Sequence, residues 1–420
     1  MKNRWLIAAA AVGIHESLGS VYAWSVFKKP FMDAFGWSDF EAGLPFGLAI
    51  FLLGTSAAIM GHVVEYRGPR FSGVLSALMW TVGLLGAGFT TSDFITDNPL
   101  RLWLLLSFSA ICGIGLGTGY ITPISTLMKW FPDRRGFATG LAIMGFGFGA
   151  FLGGPVMTQL IGADGISFTF YLLGGVYCLI MLVSASCLSP PPENRPPTGT
   201  KNIQEKATKL PAQGIMPMRA NEVFRTPYFY GLWLMMFINI TCGIAVISVA
   251  SPLAQEATGM SALAAGTLVG MIGLFNGFGR IMWASFSDII GRPTTYITIF
   301  ILQIVAFRLL PSLNGVVLFE ATLLLIITCY GGGFSTLPAY IGDIFGFRQV
   351  SSIHGYMLTA WALAGLVGSS VSSQIRQNTG SYDVMIHIFS GLLAVALLVS
   401  VLMRIFIMRK LRENAAIAAS

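Results

Sequence analysis

The chain alternates long apolar runs with short polar breaks. About twelve runs come near the ~20 residues an α-helix needs to cross a bilayer. They fall roughly at 5–27, 41–64, 71–91, 102–128, 136–161, 168–188, 228–251, 262–286, 293–311, 315–341, 352–375 and 383–406. The breaks are short except 189–227. That stretch contains Pro190-Pro191-Pro192 and carries Arg195, Lys201, Lys206, Lys209, Arg219 and Arg225, and it reads as a linker between two sets of six spans. The pattern predicts an all-α integral membrane protein of twelve transmembrane helices in two six-helix repeats. The N-terminal half covers 1–188, the cytoplasmic linker 189–227 and the C-terminal half 228–420.

Composition agrees. Of 420 residues, 55% are hydrophobic and 10% charged, against ~25% charged in soluble domains. The 49 glycines suit helices that approach closely in lipid. All five cysteines sit in apolar runs without metal-type spacing, which excludes a disulfide scaffold. The net charge of +7 is a topology signal rather than a nucleic-acid one. Of the 25 lysines and arginines, Lys28, Lys29, Arg101 and Arg376 fall on the side opposite the termini, and Arg280 and Arg308 lie inside spans. The rest share the side of the termini and linker, which the positive-inside rule places in the cytoplasm. The expected location is a plasma membrane of the bacterial inner-membrane type, with the lipid bilayer as surroundings and no nucleic-acid partner. The start, Met1-Lys2-Asn3-Arg4 and an alanine-bearing apolar run, is shaped like a signal peptide. Cleavage near Ala11 would leave an odd number of spans, so it is expected to be an uncleaved first helix.

The halves repeat. A shift of 223 maps Gly36, Ser38, Ala42 and Gly43 onto Gly259, Ser261, Ala265 and Gly266. It also maps Gly54, Glu65 and Gly68 onto Gly277, Asp288 and Gly291. A shift of 215 maps Pro123, Gly140 and Gly153 onto Pro338, Gly355 and Gly368. Parallel six-helix repeats are a transporter signature.

The loop Gly61-His62-Val63-Val64-Glu65-Tyr66-Arg67-Gly68-Pro69-Arg70 resembles the loop motif of the major facilitator superfamily, and Ser287-Asp288-Ile289-Ile290-Gly291-Arg292 its second copy. The segment 19–27 (GSVYAWSVF) resembles the first helix of oxalate:formate antiporter-like proteins, as do 130–136 (WFPDRRG) and 225–229 (RTPYF). That branch is similar to the monocarboxylate transporters. The resemblance implies the major facilitator fold, with substrate near the bilayer midplane between halves that rock. Glu65 and Arg67, with Asp288 and Arg292, are the expected conformational latch. A carboxylate at such a turn can accept hydrogen bonds from a neighbouring helix N-terminus.

Charges inside spans are costly and usually functional or paired. Arg308 and Glu320, near the outer ends of spans 9 and 10, are expected to form an ion pair. Arg280 lies about 27 Å along span 8 at 1.5 Å per residue, one turn after Asn276 on the same face. The 223 shift maps Arg280 onto Ala57 and Asn276 onto Leu53, so the shared scaffold does not require a cation there. A buried guanidinium matches a carboxylate bidentately, and the segment 276–280 (NGFGR) matches the substrate-arginine segment of the resembled family. The competing expectation pairs Arg280 with Asp288.

Oxalate-carrying members of that family have a lysine in span 11 where this chain has Trp361. Monocarboxylate transporters have a lysine at the position of Val26 and an aspartate at that of Asn276. One buried cation suits one negative charge, since an unpaired carboxylate in low dielectric is expensive. Tyr22, Tyr120, Tyr330 and Trp361 are expected around the substrate. Glu16 and His15, near the middle of span 1, are the proton-coupling candidates, with Glu16 ranked first.

The glycine runs at 113–117 and 331–333 read as close helix packing, not phosphate loops. The sequence shows no nucleophile–base constellation, so no enzyme, metal, cofactor or obligate protein partner is expected. The expected function is secondary active transport of a small monocarboxylate (lactate, pyruvate or formate), by proton-coupled symport. The alternatives are oxalate/formate-type antiport, a carrier of an unrelated solute such as a drug and, last, a membrane protein that does not transport.

Overall fold

A computed structural model describes residues 3–191, 214–313, 315–379 and 382–419. Most of the linker, including Arg195, Lys201, Lys206 and Lys209, therefore lies outside the described residues. The described chain is helical: α1 (Arg4–Gly19), α2 (Ser25–Phe35), α3 (Asp39–Thr90), α4 (Asn98–Trp130), α5 (Arg135–Cys187), α6 (Pro227–Thr258), α7 (Ala262–Ile290), α8 (Arg292–Leu309), α9 (Val316–Phe345), α10 (Val350–Thr379) and α11 (Asp383–Ala419).

Nine helical stretches among the described residues are long and apolar enough to cross a membrane. Two of them lie in α3 and α5, which are too long for one crossing. Each is broken by a glycine with positive φ: Gly68 (φ 82°, ψ 171°) and Gly165 (φ 85°, ψ 174°). Dividing both there and adding the 29 residues of α7 gives twelve crossings, as the apolar pattern predicts. Gly68 interrupts the polar run His62–Arg70, so the chain reverses at a membrane edge and not inside lipid, where freed backbone groups would go unsatisfied.

The repeat extends to backbone conformation. Gly36 (φ 67°, ψ 21°) ends α2 and Gly259 (φ 69°, ψ 13°) ends α6, both left-handed. Ser38 caps α3 through the Glu41 amide, and Ser261 caps α7 through the Ala264 amide. Gly68 is matched by Gly291 (φ 85°, ψ 148°). All three pairs are 223 residues apart, and positive φ at these turns favours glycine.

Contacts divide the chain into two compact units. Unit 1 holds Met1–Trp130, Leu141–Glu193 and His354–Ala362, and unit 2 holds Phe131–Gly140, Asn194–Ile353 and Leu363–Ser420. Each unit thus takes a short segment from the other half of the sequence. In unit 1, α3 packs along α4 and α1 against α4. In unit 2, α7 packs along α9 and α8 along α11. The glycine runs serve these packings. A Cβ on Gly117 would meet the Leu53 carbonyl at 2.5 Å, and one on Gly331 the Asn276 carbonyl at 2.5 Å.

One expectation is corrected. Arg308 Nε donates to Ser390 Oγ on α11 at 3.0 Å, and no ion pair with Glu320 forms among the described residues. The guanidinium turns to α11, on which α8 packs, rather than along the hairpin to α9.

The borrowed segments are held by matching contacts. A Cβ on Gly140 would lie 2.7 Å from the Arg280 carbonyl oxygen, and one on the repeat-equivalent Gly355 would lie 2.1 Å from the Ala57 carbonyl oxygen. Backbone cannot yield as a flexible side chain can, so Gly355→Ala should lower stability by about 1–3 kcal/mol and Gly140→Ala by less. Thermal unfolding in detergent checks this, and equal midpoints for both variants and the parent would contradict it.

Candidate functional site

Arg280 and Asn276 stand one turn apart on α7. Arg280 is fully buried, and its Nε donates to Asn276 Oδ1 at 3.2 Å. The guanidinium carbon lies 5.3 Å from the centre of the Phe334 ring on α9. Ser335 Oγ donates to the Arg280 carbonyl at 2.7 Å, fastening α9 to the same turn. Gly331 has no side chain to hold the helices apart, since a Cβ there would also meet Asn276 Oδ1 at 2.7 Å and Arg280 Cγ at 3.1 Å. Tyr330 is buried beside it, and its carbonyl accepts from Asn239 Nδ2 on α6 at 3.0 Å. Unit 2 therefore collects Arg280, Asn276 and Tyr330, and adds Phe334, which the sequence reading did not single out.

Unit 1 gathers the other aromatic candidates. Tyr120 and Trp361 are buried, with ring centres 5.3 Å apart, and the Tyr22 ring lies 6.4 Å from Trp361. Phe146 on α5 touches all three, at 5.4, 5.2 and 6.0 Å from Tyr120, Tyr22 and Trp361. His15 stacks on Tyr120 at 5.2 Å with 17° between planes. Its Nδ1 lies 2.7 Å from the Ala142 carbonyl oxygen and its Nε2 lies 2.9 Å from that of Tyr120. Two carbonyl acceptors suit an imidazolium, which alone carries two N–H donors.

Glu16 is the next residue along α1; its own carbonyl lies close to Gly149, and its carboxylate is within electrostatic reach of the Tyr177 phenol. Adjacent helical residues point about 100° apart. Lys28 lies beside Gly43 at the start of α3.

The loop motifs make ionic contacts in both units. Asp288 accepts from the Gly136 and Phe137 amides, each at 2.9 Å, at the first turn of α5, where the helix dipole favours negative charge. Arg292 pairs with Asp288 at 2.6 Å and with Asp343 at 3.1 Å. Arg135 completes the group, 3.5 Å from Asp343 and over the Phe347 ring. Burial opposes the Arg292 charge, and the carboxylates of Asp343 and Asp288 offset that cost. The competing expectation that Asp288 neutralises Arg280 loses ground, because both Asp288 oxygens are engaged at the helix end. In unit 1, Glu65 pairs with Lys129 at 3.1 Å. Arg67 instead lies exposed over the Phe71 ring. Asp343 and Arg135 were missed as members of the network. The sequence signal for Asp343 is an acid at the end of an otherwise apolar span.

The Major Facilitator Superfamily profile matches residues 6–369. The chain belongs to that superfamily. It is therefore a multi-pass membrane transporter and not an enzyme. The oxalate:formate antiporter of Oxalobacter formigenes is 27% identical over 384 residues, 90% of this chain and 86% of the relative. Monocarboxylate transporter 12 of Rattus norvegicus is 25% identical, over 77% of this chain and 70% of its own. Among solved structures, the proton:xylose symporter XylE superposes with a TM-score of 0.72 at 14% identity, covering 94% of both chains. The human organic anion transporter MFSD10 superposes at 0.71 with 17% identity, over 95% of this chain and all of the other. These two likenesses establish the fold.

Asp288 holds two amides and a largely buried arginine, whereas Glu65 holds a half-buried lysine. Charge-assisted hydrogen bonds contribute about 1.5–3 kcal/mol each, and Asp288 accepts two from backbone amides beside its arginine pair. Asp288→Asn should therefore lower the unfolding midpoint in detergent clearly more than Glu65→Gln. The reverse order would show that the unit 2 network carries less than its geometry implies.

Proposed function

We propose that this transporter carries small monocarboxylates such as lactate, pyruvate or formate together with a proton, and that Arg280 holds the substrate carboxylate. The observation that supports it is a fully buried guanidinium whose plane is fixed by Asn276 Oδ1, at a place where the repeat has only the buried alanine Ala57. A planar fork matches two carboxylate oxygens, which a lysine ammonium cannot reproduce. Relatives named as an oxalate:formate antiporter, a pyruvate carrier from Toxoplasma gondii and a monocarboxylate transporter add to it. In this reading Tyr22, Tyr120, Tyr330 and Trp361 shape the substrate's surroundings. Asp288 and Arg292 latch one conformation at the α5 N-terminus, with Glu65 as the first-half counterpart. In this reading the protein works in a bacterial inner membrane, and the positive-inside rule supports termini and linker in the cytoplasm.

Oxalate/formate exchange is the second reading, favoured by the 27% relative. Trp361, where the resembled oxalate carriers have a lysine, weighs against a dianion. Lactate or pyruvate should compete for uptake into proteoliposomes more strongly than oxalate. Competition by oxalate at about tenfold lower concentration, a difference of about 1.4 kcal/mol, would reverse the order.

Arg280→Ala should abolish binding and transport. Arg280→Lys should bind the acid weakly, losing about 1.5–3 kcal/mol for each charge-assisted bond it cannot remake. Asn276→Ala should be milder, since it removes a neutral group. Thermal shift with added acid in detergent, beside uptake, reads all three. Wild-type affinity in a folded Arg280→Ala protein would sink the anion site.

Glu16 and His15 are the candidates for the coupled proton in this reading, with Glu16 first. Glu16→Gln should then lose accumulation driven by a pH gradient while exchange stays measurable. Accumulation that survives in Glu16→Gln would pass the role to His15, to be read in His15→Asn.

A further inference from the structure

Unit 1 contains a cavity of about 40 Å³ among the α1–α2 junction, α3, α4 and α5. Much of its wall is aromatic, Trp24 and Phe170 included, but Ser20, Trp80, Ser109 and Tyr177 also line it. Trp80 is 2% exposed, and its indole N–H has no hydrogen-bond partner among the described residues. A buried donor in that state is uncommon and points to an acceptor. A water molecule needs ~10–15 Å³ of such space and two to four polar partners. About two or three waters therefore fit, with two hydroxyls, a phenol and the indole N–H to hold them.

The cavity adjoins Glu16. Ser20, directly after α1, stands one turn beyond it, and two glycines of α5 close on that turn. A Cβ on Gly149 would meet the Glu16 carbonyl oxygen at 2.1 Å and the Ser20 amide nitrogen at 2.8 Å. One on Gly153 would lie 3.6 Å from Ser20 Cβ and 3.6 Å from the Tyr177 hydroxyl oxygen. The phenol and Ser20 thus share one notch at the cavity wall, and the half-buried Glu16 carboxylate is within electrostatic reach of that phenol. No charged side chain lines the cavity among the described residues. Its other titratable group, Cys112 of α4, donates to the Trp80 carbonyl at 3.8 Å. His15 is engaged on α4, stacked on Tyr120. The lining positions fall beyond Glu16, near the start of α3 and just after the Gly165 break of α5. That is the end of unit 1 opposite the N-terminus, the outer end when the termini are cytoplasmic.

The second half lacks these groups. The 223 shift maps Glu16 onto Asn239, whose Nδ2 donates to the Tyr330 carbonyl at 3.0 Å, and Ser20 onto Gly243. The 215 shift maps Ser109 onto Leu324. Trp80 maps onto Gln303, which is also buried and unbonded among the described residues. A buried donor is thus common to both halves at that position, whereas the acid and the two hydroxyls belong to the first half alone. The shared scaffold does not require them.

Resting on the reading in which Glu16 carries the coupled proton, we propose that this cavity is a water-holding proton chamber and that Tyr177 relays protons from it to Glu16. A hydronium in the chamber gives a proton to the phenol oxygen while the phenol O–H passes its own to the Glu16 carboxylate. A water, a neutral phenol and a neutral carboxyl remain, and no other bond changes. The aromatic wall offers no cation to an anion, and an unpaired carboxylate there would be expensive. The proton therefore reaches Glu16 without the substrate acid passing through the chamber.

The test compares two modes of L-lactate transport by the full-length protein in proteoliposomes. Net uptake driven by a pH gradient loads Glu16 once per cycle, whereas lactate–lactate exchange at equal pH proceeds with the proton in place. A proton-transfer group contributes about 10²–10⁴-fold to the step it serves, and loading is one step of several, so Tyr177→Phe should slow net uptake by about tenfold or more. Exchange should stay near the parental rate. Ser109→Leu, which fills the chamber, should give the same split. If one variant does not purify as folded protein, the other gives the reading. Parental net uptake in both variants, or net uptake and exchange that fall together, overturns the relay. If Glu16→Gln loses accumulation while Tyr177→Phe and Ser109→Leu keep it, the Glu16 reading stands and only the relay is lost. If Glu16→Gln accumulates lactate like the parent, the Glu16 reading fails and the relay falls with it. A parent protein that carries no lactate, pyruvate or formate overturns the carboxylate reading, and both fall.

Discussion

A guanidinium held away from water in a membrane-spanning helix is the constraint around which unit 2 is arranged. Such a charge costs several kcal/mol unless hydrogen bonds and polarisable neighbours offset it. Around Arg280 the offsets are specific. Asn276 Oδ1 takes the Nε proton, the Phe334 ring lies near the guanidinium and Ser335 ties down the carbonyl of the same residue. Gly331 lets α9 come close enough for all of this. Each device fixes the direction of the fork rather than merely tolerating its charge, which is what a carboxylate site needs.

The repeat separates scaffold from chemistry. The left-handed glycines 36 and 259, the serine caps 38 and 261 and the turn glycines 68 and 291 have the same conformations in both halves. These positions set where helices stop and how they re-enter the membrane. The differences fall where polar groups are buried. Arg280 stands against the buried Ala57, Asn276 against the buried Leu53, and Glu16 against the neutral, bonded Asn239. A carrier that needs two similar frames but one substrate places its charges in pairs of unlike positions. Asp288 and Glu65 lie between these extremes: both are loop acids, Asp288 holding Gly136, Phe137 and Arg292 and Glu65 holding Lys129.

Much of this was legible in the sequence. Span number follows from apolar length, and the turn glycines follow from repeat spacing. Arg280 stood out because a charge within an apolar run has few structural uses. What stayed hidden depends on which face of a helix meets which neighbour. Glu16 and His15 are adjacent, and composition could not say that the histidine would stack on Tyr120. Arg308 was read along its hairpin toward Glu320 but bonds across to Ser390. Phe146 and Phe334 look like any other phenylalanine in a span, and only packing makes one a hub and the other a neighbour of the guanidinium. Tyr177 was passed over because its place beside Ser20 comes from the packing of α5 on α1, far away in the chain.

The most direct measurement is a structure of the transporter with a bound monocarboxylate, solved by electron cryomicroscopy or crystallography. The account predicts both carboxylate oxygens within hydrogen-bond distance of the Arg280 guanidinium, with the Nε bond to Asn276 retained. A carboxylate bound elsewhere, with Arg280 keeping only protein contacts, would contradict it.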